Sequence, residues 1–148
     1  LIEMPQKILL VAKKGEKRAL QATLEEEDVI LCIKSGNWKC GLWTYPDKRC
    51  TAGSCFVIFR VKNEFKKLLP PFYLMRLLRS SALQERFNSL SIGTRAPLLK
   101  MEDLRQIAFP LPSADEITQE KEKFEQQVKL LKEIRRKTKE IQELNMDI

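Results

Sequence analysis

Histidine is absent from this 148-residue chain. Without an imidazole there is no ordinary general base near neutral pH, and no Ser-His or Cys-His nucleophile pair. Glycine is scarce, with five in all. Neither of the phosphate-cradling patterns G-x-G-x-x-G and G-x-x-x-x-G-K occurs. No apolar run approaches the ~18–20 residues of a membrane helix, and lysines inside residues 1–20 interrupt any signal-peptide core. A cytoplasmic setting is expected, with no membrane partner. The four cysteines include no CxxC pair, so a zinc site, which needs about four closely spaced ligands, is not expected. Cys32 and Cys55 each lie in an apolar run and read as buried strand residues, which leaves Cys40 and Cys50. The first residue is not Met, which reads as a fragment or a processed chain.

What the chain does carry is positive charge, unevenly placed. Residues 1–112 hold 19 Lys and Arg against 11 Asp and Glu; residues 113–148 hold 8 against 9. The basic excess therefore belongs to the first part alone. Such a body favours a polyanionic partner, although the same charge also serves solubility. One stretch invites a catalytic reading. Leu69-Pro70-Pro71-Phe72-Tyr73 is similar to the Asn/Asp-Pro-Pro-Phe/Tyr motif of adenine-N6 methyltransferases, whose amide or carboxylate holds the amine of a flipped base. Leu69 can accept no hydrogen bond, so the prolines read as a helix start. The acidic run Glu25-Glu26-Glu27-Asp28 has no matching ligand set and reads as a solvated loop.

Apolar periodicity predicts strands over residues 7–12, 28–34 and 54–61, with Gly41–Tyr45 as a hairpin partner of the second. Lys13–Arg18 and Pro46-Asp47-Lys48 read as turns. A helix is predicted from Pro70-Pro71 onward, with Leu74, Leu77 and Leu78 on one face. A second follows a capping box at Ser81–Gln84, with Leu83, Phe87 and Leu90 on one side. Gly93-Thr94-Arg95 reads as a flexible turn, followed by an apolar pair and a short helix-like piece. Ile107–Leu111 is predicted to be a last short strand. The fold class is α+β: a small mixed domain over 1–112, followed by one long coiled-coil helix over 113–148.

That helix opens on the capping box Ser113-Ala114-Asp115-Glu116 and meets no Gly or Pro. At 1.5 Å per residue it would be ~45–50 Å long. With Phe124 set at heptad position a, six of the ten a and d positions are apolar. Phe124, Val128, Leu131, Ile134, Thr138 and Ile141 form the predicted pairing stripe. Thr138 and Asn145 are polar interruptions that can fix register.

The ordered set of features resembles half of a specificity subunit from type I restriction–modification systems. Glu27-Asp28-Val29-Ile30-Leu31-Cys32-Ile33-Lys34-Ser35-Gly36-Asn37 resembles that family's acidic-apolar strand ending in a glycine turn. Thr51-Ala52-Gly53-Ser54-Cys55-Phe56-Val57-Ile58-Phe59-Arg60 resembles its following core strand, and Phe72–Ser80 its next helix. Gly93-Thr94-Arg95 through Leu104, then Ile107-Ala108-Phe109-Pro110-Leu111-Pro112, resembles its glycine turn and Pro-Leu-Pro exit. The long helix after that exit is similar to the family's spacer helix. Two departures stand out. The Gln usual just after the exit has Gln119 as its nearest counterpart, and the family's opening segment is short or missing.

The resemblance implies a target recognition domain that reads double-stranded DNA, joined to a spacer and dimerisation helix. Catalysis would belong to partners: a DNA methyltransferase subunit using S-adenosylmethionine and, in full systems, a nuclease subunit. This chain would hold no cofactor. It would self-associate or pair with a second half-subunit through the helix. The loop chemistry nominates Lys34, Ser35, Asn37, Trp38 and Lys39 after the central strand, and Thr94, Arg95 and Lys100 around the glycine turn. Asn37 suits an adenine edge, and Lys39 a phosphate or guanine. Trp38 reads equally as an anchor or a contact. Arg95 can fork onto guanine or close a structural salt bridge. Lys13, Lys14, Lys17 and Arg18 suit phosphate. Two other classes remain open: the carboxy-terminal recognition region of a fused DNA methyltransferase, and a non-DNA interaction module tethered by a coiled coil.

Overall fold

The computed structural model describes residues 9–13, 23–34, 36–45 and 49–146. It divides into two compact units, Leu1–Pro112 and Ser113–Ile148. No described helix is long and apolar enough to cross a membrane.

The first unit is built on a four-stranded antiparallel sheet in the order β1-β4-β2-β3. Its strands are β1 (Leu9–Lys13), β2 (Val29–Cys32), β3 (Cys40–Leu42) and β4 (Phe56–Val61). Strand β4 is central because it is the most continuously apolar; Val57, Ile58, Phe59 and Val61 are all buried. Opposite it, Val29 pairs with Phe59 and Leu31 with Val57, so these four buried side chains share one face. The third strand begins at Cys40, one residue before the predicted hairpin partner, and ends at Leu42. Helices α1 (Pro71–Arg79) and α2 (Ser81–Leu90) follow a 3-10 turn at Asn63–Phe65. Helix α1 buries Tyr73, Leu74, Met75 and Leu78 and packs on β2 and β3. A short helix, α3, spans Met101–Arg105.

Several expectations are corrected. The predicted strand at Ile107–Leu111 is irregular chain, because Pro110 and Pro112 supply no N–H for a ladder. The cap of α2 is Ser80, not Ser81: the Ser80 Oγ accepts from the Leu83 N–H at 3.4 Å. Burial falls on Cys40 more than on Cys32 or Cys55, which are only half-buried. Burial pushes the Cys40 thiol up to about 12, against a smaller opposing pull from the Arg79 charge, so it stays protonated and unreactive. The acidic run is solvated at Glu25, Glu26 and Glu27, which are exposed, but not at its last residue. Asp28 is fully buried, and its carboxylate accepts from Arg60 Nε and Nη2, each at 2.7 Å. Glu25 pairs with the same guanidinium at 2.7 Å, and Glu27 pairs with Lys66 at 2.6 Å. The Asp28 hydrogen bond, foremost, holds the Arg60 pKa above its ordinary value. The run is thus a latch between the turn before β2 and the end of β4.

The second unit is helix α4, Ala114–Met146. Its capping box forms as predicted: the Ser113 N–H donates to Glu116 Oε2 at 2.8 Å, and the Glu116 N–H donates to Ser113 Oγ at 3.3 Å. Ion pairs along its surface, such as Arg136–Glu140 at 2.8 Å, contribute a few tenths of a kcal/mol each (~0.2–0.5). Leu131, Ile134 and Ile141 are each more than half exposed. Phe124 and Val128 are half-buried, and Thr138 donates its hydroxyl to the Ile134 carbonyl at 2.8 Å.

Candidate nucleic-acid interface

The loop after β2 and the glycine turn lie nearly 60 residues apart in sequence, yet the fold joins them. The turn closes on itself first. Ile92 and Leu98 exchange both backbone hydrogen bonds, at 3.0 and 2.9 Å, leaving Gly93–Pro97 as a tight projection. Gly93 sits at φ +93°, a conformation other residues rarely adopt. Beyond the closure, the Leu99 N–H donates to the Ile33 carbonyl at 3.0 Å, and Lys34 bridges Leu98. Leu99 is buried as the anchor of this junction.

Gly36 completes the seam. It has φ +69°, and a Cβ there would stand 3.2 Å from Pro97 Cγ. Gly36→Ala is expected to cost about 1–2 kcal/mol through the left-handed backbone alone. A lowered thermal midpoint checks this, and an unshifted midpoint would show that the turn relaxes freely.

Asn37, Lys39, Thr94, Arg95 and Lys100 are all exposed. Lys34 is half-buried and already has an interaction partner. Neither residues 33–41 nor residues 91–100 contain an Asp or Glu, so every formal charge within the two joined loops is positive. Among the described residues Arg95 closes no ion pair. Ser35 lies outside the described residues, as do Lys14, Lys17 and Arg18.

Trp38 is not a surface contact. It is 4% exposed, stands edge-on to Phe87, and donates Nε1–H to Asn88 Oδ1 at 2.7 Å. Its place is inside, holding the loop to α2. Besides Asn88, two further side chains brace this stretch and were missed from sequence, Gln84 from α2 and Arg79 from the end of α1. Gln84 Nε2 donates to the Trp38 carbonyl at 3.2 Å and the Leu78 carbonyl at 2.8 Å. Arg79 donates Nε–H to the Cys40 carbonyl at 3.0 Å, and its Nη2 donates there too. The available signal was spacing: Gln84 and Asn88 are four apart, on one helical face. The one-residue shift of the α2 cap matters here, because a cap at Ser81 would have spent Gln84 on the helix end. Among the described residues no group of three or more His, Cys, Asp or Glu could hold a metal.

Comparison with known proteins adds an independent line. A family model described as the type I restriction modification DNA specificity domain matches residues 5–146. No curated protein sequence matches the chain. A solved structure similar to it is the S subunit of a type-I restriction-modification system from M. genitalium. That protein is 15% identical, with a TM-score of 0.47 over 68% of this chain and 31% of that one. The chain thus spans about a third of that subunit's length.

Proposed function

Since this chain belongs to the type I restriction modification DNA specificity domain family, we propose that it is the DNA-addressing part of a restriction–modification complex. The globular unit reads duplex DNA. Helix α4 acts as a spacer and pairing element that sets the distance between two half-sites. Methyl transfer to adenine belongs to a methyltransferase subunit that binds S-adenosylmethionine, and cleavage to a nuclease subunit where one is present. No reaction step is assigned to this chain.

The observation that carries this reading is the junction of the two loops. Backbone bonds from Leu99 to Ile33 and the Lys34–Leu98 bridge bring an amide, a hydroxyl and several cations to one edge. That mixture suits base reading and phosphate holding together. Binding selection from randomised duplexes, with this chain and its methyltransferase partner, tests it: one enriched motif is expected, and an unenriched pool would overturn it. Arg95→Ala is expected to weaken binding to the selected site by ~1–3 kcal/mol. Unchanged affinity for that site would remove Arg95 from the reading set.

A further inference from the structure

A shallow depression of about 410 Å³ opens beside the first loop, lined by Asn37, Trp38, Lys39, Cys40, Arg79 and Gln84. Two of these residues are cationic and none is a carboxylate. The guanidinium of Arg79 is not loose. Its Nε–H and one Nη2–H are pinned to the Cys40 carbonyl, which orients the plane; among the described residues the other N–H groups make no further hydrogen bond. A guanidinium held in place loses less entropy when it binds an oxyanion. Lys39 stands exposed on the loop rim. The Gln84 amide N–H₂ is committed to two backbone carbonyls, so it shapes the wall without competing for a ligand.

The chemistry favours a phosphate over a base. An extruded base needs an aromatic or apolar face to stack on. The one aromatic residue here, Trp38, is turned inward against Phe87 and is 4% exposed. We propose that Lys39 and Arg79 form a seat for one backbone phosphodiester of duplex DNA, beside the reading loop, and so fix the register in which that loop meets base edges. This inference rests on the DNA-reading function and adds Arg79, which lies in neither loop nominated from sequence.

The test is the salt dependence of the full chain's binding to random-sequence duplex. Each neutralised phosphate contributes about −0.9 to the slope of log affinity against log salt. Arg79→Gln keeps a donor for the Cys40 carbonyl and removes the charge. Lys39→Gln touches no internal bond. Each is expected to make the slope shallower by about 0.9, and the double variant by no more than either alone, since both cations serve one phosphate. Affinity for the selected site is expected to fall together with affinity for random duplex, because the seat fixes the register in which the loop meets base edges. A parental slope in Lys39→Gln, or in a folded Arg79→Gln, overturns the seat while leaving DNA reading intact. Absence of any duplex binding by the parent chain at low salt overturns both.

Discussion

Asp28→Ala is expected to destabilise the globular unit by about 3 kcal/mol, the low end of what losing one partner of a buried ion pair costs. The low end applies because Arg60 keeps Glu25, the Thr23 carbonyl and some solvent; its side chain is 20% exposed. Asp28 also accepts the Glu25 N–H at 2.8 Å, inside a turn where Glu27 takes φ +69°. Truncation therefore unfastens the turn as well as the ion pair. The loss amounts to a fall of roughly 10–20 °C in the unfolding midpoint of a unit this size. Asp28→Asn, which keeps an acceptor for the turn, is expected to lose less. Replacing both charges, as Asp28→Leu with Arg60→Met, is expected to recover much of the loss, because no unpaired charge is then buried. Parental stability in Asp28→Ala by denaturant titration would show that the latch does not hold this region together.

The second large effect concerns α4. Leu131→Lys with Ile134→Lys is expected to convert a helix-paired assembly into single chains, visible by sedimentation. In isolation these side chains are 52% and 58% exposed, an apolar surface that a partner helix would cover. Burying such a side chain contributes about 1.5–3 kcal/mol. Across a twofold pair, four are lost and four like charges are brought together. The weakening is therefore on the order of a thousandfold or more. The helix itself survives, since Lys is a good helix former. Thr138 would need no partner across such a pair, because its hydroxyl already bonds the Ile134 carbonyl. An unaltered assembly in this variant would clear both residues of any interface role.

Much of the architecture was legible because its signals are local. The run Phe56–Val61 has the apolar density of a central strand, and it became one. Pro70-Pro71 could only begin a helix, and α1 starts at Pro71. The capping box at Ser113–Glu116 needs only four residues to form, and it formed. Local rules failed where two devices competed. Ser80 and Ser81 are both competent caps; Ser80 is the one used, while Gln84 bonds the Trp38 and Leu78 carbonyls. Ile107–Leu111 had strand-like apolar content, but two prolines within six residues denied it a ladder.

Of the candidate site, residue chemistry and loop membership could be read from sequence: Asn37, Lys39, Thr94, Arg95 and Lys100 are exposed loop residues. The inward turn of Trp38 could not, because its partners Phe87 and Asn88 come from a helix some 50 positions away. The same holds for Asp28, whose burial depends on Arg60 arriving across the sheet.

By itself, then, the order of residues determined where basic charge is concentrated, which segments take up strand or helix, and that one long helix bears an apolar stripe. Those properties depend on neighbours a few positions away along the chain. Only tertiary packing decided that the two loops meet, that Arg79 is held beside Lys39, and that Asp28, at the end of an acidic run, is buried against Arg60. Each depends on groups far apart in the chain arriving together, and hydrogen bonds and burial set that geometry only after the sheet has formed.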